Sequence, residues 1–360
     1  MKYRIAEVYP LTALGVVAAS LSIPLNLSDV ISALMIEYRV TRVADAMIEH
    51  PAANLKNISL VDGSDVLFSM TGKEAQALAF WDKSAPTYAY LSGQATVQSS
   101  LCIPINFGRK LWDKSLGLDP KMFKNPMLNI SYDPALHGAL DTVHQLSVQA
   151  LCFDEVQPNP SGFLMSKTYA TPAWVASGVW AQDVLLPTDY NIRKLVIRGY
   201  LAASYVQNVV NHVKISEDND KKIPIDHDVS TLQKLLNLLQ DEFSETLSIN
   251  LTSGGFAVYC APSYNLRISG LMLTNDVTAK LSLVNPKIPV TLTTSGNYQG
   301  QFEIVGNLPH STIMLPFGDQ DDMGDWYDTS KVSKLVLRMK GGSAGSTGVV
   351  SVVTQQLRTY

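Results

Sequence analysis

Cysteine is scarce in this chain and poorly spaced for chemistry. Three occur, Cys102, Cys152 and Cys260, an odd number with no Cys-x-x-Cys pair. A fully paired disulfide framework and a thioredoxin-type redox motif are therefore excluded. Each cysteine stands in an apolar run and reads as a buried free thiol. Charge is thin as well. Asp, Glu, Lys and Arg make up 17% of the residues, the net charge is −4, and the basic residues form no block. A dedicated surface for nucleic acid or for an anionic membrane is not expected. No run approaches the ~18 apolar residues of a membrane-spanning helix. There is no alternation of strands with helices, which excludes a doubly wound parallel sheet. What remains is a chain of 360 residues, 46% of them hydrophobic, long enough for two domains with sizeable cores.

Catalytic patterns are also missing. Gly341 to Gly345, GGSAG, has the spacing of a nucleophile elbow around Ser343, but a strand-like VVSVV follows where the elbow needs a helix. Thr71-Gly72-Lys73 ends like a phosphate loop, yet the required earlier glycine would fall at Leu67. The six histidines, His50, His137, His144, His212, His227 and His310, form no HExxH, and His137 and His144 flank a turn and read as surface residues. An acidic loop holds Asp319, Asp321, Asp322, Asp325 and Asp328. Asp319, Asp321 and Asp325 are the weak candidates for a cation site, but the loop lacks the EF-hand register and its closing Glu. No catalytic residue, cofactor or required metal is assigned.

The positive signal is a repeat. LCIPINFGRKLWD…NPMLNISYD (Leu101 to Asp133) has a degraded copy in TIMLPFGDQDDMGDWYDTSKVSKLVLRMK (Thr312 to Lys340). Pro104 answers to Pro316, Phe107-Gly108 to Phe317-Gly318, Trp112 to Trp326, and Leu128 and Ile130 to Leu335 and Leu337. Earlier, ISALMIEYRV (from Ile31) matches IRKLVIRGYL (from Ile192) at one constant offset, and GVVAASLSI matches VASGVWAQDV in strand character. Each copy then carries one helix. The first runs from Thr71 to about Asp82 with a Thr71…Glu74 capping box, the second from Ser230 to about Phe243 with a Ser230…Gln233 box. Leu232, Leu235, Leu236, Leu239 and Phe243 make an apolar stripe on the second, expected to pack on its own domain. The second copy also gains a β-like stretch, Glu245 to Ser311. The spacing predicts an all-β chain of two tandem antiparallel sandwiches or jelly rolls, each with one short helix. Residues 1–160 form the first, and residues 161–360 the second, with elaborated loops at about 245–311. Pro158, Pro160, Gly162 and Pro172 mark the junction.

These features resemble a known family, the double jelly-roll major capsid proteins of tailless icosahedral viruses, the adenovirus-type and membrane-containing bacteriophage lineage. The resemblance rests on the duplication, on LPTDYNIRKLVIRGY (Leu186 to Tyr200) and on the IPINFGRKLWD…GLD…NPMLNI element. It implies a structural protein, not an enzyme. It implies a homotrimer of pseudo-hexameric outline and trimer–trimer contacts in the shell of a virion. Minor capsid or vertex proteins and an internal membrane would be its partners, and no sequence-specific nucleic acid. Met1 to Leu14 and Leu357 to Tyr360 would then clamp neighbours or touch the membrane. The alternative is a secreted double jelly-roll protein that binds or processes glycans. It would use the five tryptophans, Trp81, Trp112, Trp174, Trp180 and Trp326, as a sugar platform, although Trp112 and Trp326 recur at equivalent places in the repeat, which suits packing, and it would need Met1 to Ser20 as a cleaved leader.

Overall fold

The computed structural model describes residues 2–43, 49–83, 87–137, 141–251, 254–272, 281–285, 288–294 and 298–360. The first half supplies β1 (Tyr3–Leu14), β2 (Ala19–Pro24), β3 (Ile31–Arg42), β4 (Leu55–Asp62), β5 (Asp65–Met70), α1 (Gly72–Lys83), β6 (Ala89–Ser92), β7 (Gln98–Asn106), β8 (Pro126–Tyr132) and β9 (Asp141–Phe153). The second half supplies β10 (Gly162–Ala170), β11 (Val184–Leu185), β12 (Ile192–Tyr200), α2 (Val206–Val209), β13 (Val210–Glu217), β14 (Lys222–Asp228) and α3 (Val229–Leu239). After an insertion it continues as β21 (Thr312–Pro316), β22 (Leu335–Gly341) and β23 (Val349–Thr359). The insertion holds β15 (Phe243–Leu251), β16 (Gly254–Val258), β17 (Tyr264–Met272), β18 (Leu281–Asn285), β19 (Val290–Thr294) and β20 (Tyr298–Asn307). Among the described residues no helix is long and apolar enough to cross a membrane.

Strand order makes the repeat explicit. In the first roll β1-β9-β3-β7 lies in one sheet and β2-β8-β4-β5 in the other; in the second the orders are β10-β23-β12-β21 and β11-β22-β13-β14. The two sets correspond strand for strand, which is the double-sheet jelly-roll plan used twice. The sequence pattern explains the layers: alternate residues of β4 and β8, Ile58, Leu60, Leu128 and Ile130, point into the same core as Leu34 and Ile36 of β3 and Val148 of β9. Each roll also repeats a detail of backbone bonding. Ile31 exchanges N–H···O bonds with Leu118 (2.8 and 2.9 Å), and Ile192 does the same with Tyr327 (both 3.1 Å). The N–H of Phe107 donates to Ser32 O and that of Phe317 to Arg193 O, both at 3.1 Å. Phe107 and Phe317 are thus true counterparts. The prolines are not: Pro104 lies opposite Met35, whereas Pro316 lies opposite Lys194, the place that Asn106 holds in the first roll.

The first helix keeps its expected cap. Thr71 Oγ1 accepts from the N–H of Glu74 (3.3 Å), and Glu74 Oε2 accepts from the N–H of Thr71 (3.0 Å), the reciprocal pair of a capping box. Thr71→Ala is expected to cost about 1 kcal/mol, read as a shift of the urea midpoint. The second helix departs from expectation. It starts at Val229 behind Asp228, so Ser230 lies inside the first turn, and Gln233 donates to Gln207 Oε1 (2.8 Å) instead. It also stops at Leu239, and Phe243 opens a strand. Only part of its stripe is buried. Leu232 and Leu236 face the core, while Leu235, Leu238 and Leu239 are 48%, 85% and 54% exposed. VASGVWAQDV forms less of a strand than its composition suggests: it turns at Ser177-Gly178, bridges Lys340 at Trp180, donates from the N–H of Ala181 to Met339 O (2.8 Å), and only its last residue, Val184, enters β11, opposite Leu337. The chain ends are integral parts of the rolls. Tyr3–Leu14 is the first strand of roll 1, and Leu357 pairs with Leu164 while the Tyr360 hydroxyl donates to Gly117 O (2.7 Å).

Candidate functional site: the joint between the rolls

Among the described residues the concentrated chemistry lies where the two rolls meet. Phe68 and Ser69 of β5 pair in parallel with Ser166 and Lys167 of β10, which merges one sheet of each roll into a single eight-stranded sheet. A second parallel pairing, Tyr90 to Ser92 with Thr246 to Ser248, ties the insertion of roll 2 to β6 of roll 1. The helix α1 sits at this joint. Ala75, Ala77, Leu78, Phe80 and Trp81 are all buried, as expected for a helix covered on every side.

Buried polar groups fasten the joint. Asp82 at the end of α1 accepts from Arg193 Nη1 (2.8 Å), Lys194 Nζ (3.1 Å) and Gln355 Nε2 (3.2 Å), all from roll 2. Lys194 also donates to Trp81 O (2.9 Å), and Trp81 Nε1 donates to Thr312 Oγ1 (2.9 Å). Burial drives the Lys194 ammonium down to about 8, against the opposing pull of Asp82. Glu74 accepts from Thr168 Oγ1 (2.9 Å) and from the Ser351 hydroxyl. Arg358 and Asp65 form a two-pronged ion pair across the joint. Beneath the insertion, Glu245 accepts from Gln76 Nε2 (3.2 Å) and the N–H of Ala261 (2.7 Å) and hydrogen-bonds His50 (3.0 Å). His310 hydrogen-bonds Gln76 Oε1 (2.8 Å), and burial, together with His50, Lys73 and Arg198, holds it well below the ordinary histidine range. A neutral His310 with its proton on Nε2 donates to the Gln76 amide oxygen, which suits a fixed structural role.

The sequence candidates fall elsewhere. Asp325 Oδ2 accepts from the N–H of Asp319 (2.6 Å), Asp319 Oδ1 accepts from the N–H of Asp321 (2.9 Å), and the Asp321 carbonyl accepts from Arg109 (2.5 Å). Their loop is thus folded by its own backbone donors and by a cation from roll 1. Among the described residues no group of three His, Cys, Asp or Glu is arranged to hold a metal ion. Ser343 lies in the turn between β22 and β23. His137 and His144, expected at the surface, are buried: His137 pairs with Asp141, itself bonded by Arg42 (2.9 Å), and His144 hydrogen-bonds Tyr38 (2.8 Å). Four tryptophans are engaged in packing. Trp81 and Trp326 are buried, Trp112 stacks on Tyr3 (4.2 Å between ring centres), and Trp174 donates to Val209 O (3.2 Å); Trp180 is exposed. Lys73, Asp82, Arg193, Lys194 and Glu245 were missed because a buried charge has no signature in sequence. The clue available was a pair of basic residues, Arg193-Lys194, directly before the apolar run Leu195 to Ile197 of a strand.

Two jelly rolls joined side by side define a class of architecture, and comparison with solved structures places it. No protein-family model and no curated protein sequence matches the chain. Solved structures do. The major capsid protein of Sulfolobus turreted icosahedral virus matches with a TM-score of 0.62 at 9% identity, covering 99% of this chain and 97% of that one. The major capsid protein P2 of bacteriophage PM2 matches with a TM-score of 0.55 at 11% identity, over 99% and 98%. VP54 of PBCV-1 matches with a TM-score of 0.55 at 10% identity, over 98% and 93%. The chain has the double jelly-roll fold of these viral capsid proteins.

Proposed function

We propose that this chain is a major capsid protein, a structural component whose homotrimers tile the shell of an icosahedral virion. The observation that carries the reading is the duplicated strand order, matched over nearly the whole length of structures that are themselves capsid proteins. A chain with two similar rolls supplies six wedges to a trimer, which suits hexagonal positions while its rotational symmetry stays threefold. The proposal includes a division of the chain near residue 160, with the stretch at 245–311 as an elaboration of the second unit. Contacts with minor capsid proteins and an enclosed lipid layer belong to it as finer parts. The glycan-binding alternative loses its support in the tryptophans, since Trp112 and Trp326 serve packing.

Native mass tests the proposal. Light scattering after size exclusion is expected to give a stable species near three times 39.3 kDa, about 118 kDa, or large particles. A clean monomer at every concentration would overturn it.

A further inference from the structure

We propose that the joint within each chain is built a second time between chains. The outer edge of β14 and the exposed face of α3 would receive β1 of a second copy. This deepens the capsid reading and rests on it.

The register of the strands identifies matching positions. Ile31 lies opposite Cys152 and Ile192 opposite Gln356, and the chain slips by one residue immediately afterwards in both rolls. Arg4 lies opposite Cys152 and Met165 opposite Gln356, so Arg4 matches Met165 and Ile5-Ala6 matches Ser166-Lys167. On the other side, α1 and α3 each begin directly after a strand, behind Thr71 and Asp228. Counting back from those caps, Phe68-Ser69 matches Ile225-Asp226. The buried pairs Ile58 and Leu60, opposite Met70 and Phe68, match Val213 and Ile215, opposite His227 and Ile225, and so confirm the count. Within the chain, Phe68-Ser69 pairs with Ser166-Lys167. The matched pairing sets Ile225-Asp226 of one copy beside Ile5-Ala6 of the next.

Three independent features fit that placement. Both edges are open: among the described residues β1 pairs only with β9 and β14 only with β13. Ile5 is 66% exposed although its match, Ser166, is buried in the joint. An open, apolar edge strand is a template for pairing. Next, the helices differ where they should. Trp81 and Asp82 hold α1 against roll 2, and the matching Leu238 and Leu239 are the exposed residues of α3. Roll 1 of a second copy would cover them. Finally, the charges are complementary. Arg358 and Asp65 pair across the joint; their matches are Asp154 and Lys222, the same pair with its signs exchanged. Pro224 is no obstacle, because in either parallel ladder pattern centred on Ile225-Asp226 the donors of β14 are residues 225 to 227. Used head to tail, internal and external joints alternate six times and the ring closes on three chains.

Chemical cross-linking tests this. Chains carrying Ile5→Cys and chains carrying Ile225→Cys, both with the half-exposed Cys102 changed to Ser, are co-expressed and treated with a short bis-maleimide. A cross-linked dimer is expected in the mixture, a ladder to trimer in the double variant, and monomer for each single variant. In parallel, Leu238→Glu is expected to turn the trimer into a folded monomer. A trimer by light scattering with neither cross-link nor sensitivity to Leu238→Glu would overturn this joint and leave the capsid reading standing. A monomeric parent protein would overturn both.

Discussion

Replacing Asp82 by alanine is expected to destabilise the protein by about 3–5 kcal/mol, the cost of stripping buried cations of their counter-charge. The carboxylate is 2% exposed and holds Arg193, Lys194 and Gln355 at once. Without it two cations stay buried with mainly carbonyl and amide partners. Urea unfolding followed by circular dichroism reads the loss, and a change under about 1 kcal/mol would mean that solvent reaches the cluster. A second change identifies the cause. Asp82→Ala with Lys194→Met should recover much of the loss, because Arg193 keeps Gln320 O (3.1 Å) and Gln355 Oε1 (2.9 Å). The pH dependence has a definite sign. The folded Lys194 titrates near 8 and the unfolded one near its ordinary 10.5, so between those values the unfolded chain binds more protons. Stability from this group therefore rises with pH across that window. Lys194→Met should abolish the rise.

Deleting Met1–Pro10 is expected to abolish folding of the first roll, a loss of about 5 kcal/mol or more against a typical margin of 5–15. The segment is the greater part of β1, in register with Val148 to Phe153 of β9. It buries Ala6, stacks Tyr3 on Trp112 and pairs Arg4 with Asp29 (2.9 Å). Its loss would expose the edge of β9, with its core residues Val148 and Ala150 losing cover. Soluble yield and a thermal melt decide the matter: a truncated chain that melts like the parent would show the segment to be a dispensable arm.

The fold was legible because its signals are local or periodic. Apolar alternation marks β4 and β8, and the Thr71…Glu74 pair marks a helix start by chemistry within one turn. Repetition did the rest, since Phe107-Gly108 and Phe317-Gly318 occupy matching places. The misreadings have physical reasons. VASGVWAQDV has strand composition but meets its partner β22 only at separate points such as Trp180, Ala181 and Val184, and continuous pairing is what makes a strand. Ser230 competes with Asp228 for the cap, and the chain geometry chose the aspartate. His137 and His144 looked like turn residues because the groups that bury them, Arg42, Asn54 and Tyr38, are remote in sequence. The joint was illegible for the same reason. It is assembled from polar residues of many separated segments, and polarity reads as exposure until the partners are known.

The two-residue pairing of β5 with β10 sets a mechanical limit on the molecule. Neighbouring ladders such as β3 with β9 run through about ten residue pairs, so each resists separation with many backbone bonds in parallel. Load drawn across the strands, as lateral tension in a curved wall would draw it, meets its narrowest section at the joint. There the resistance comes from the short second pairing of Tyr90 to Ser92 with Thr246 to Ser248 and from Asp82, Glu74 and Arg358 acting as rivets. The cores of the rolls would yield to heat, but the seam between them answers to charge: a wall of such units would fail first along lines that the buried ion pairs control.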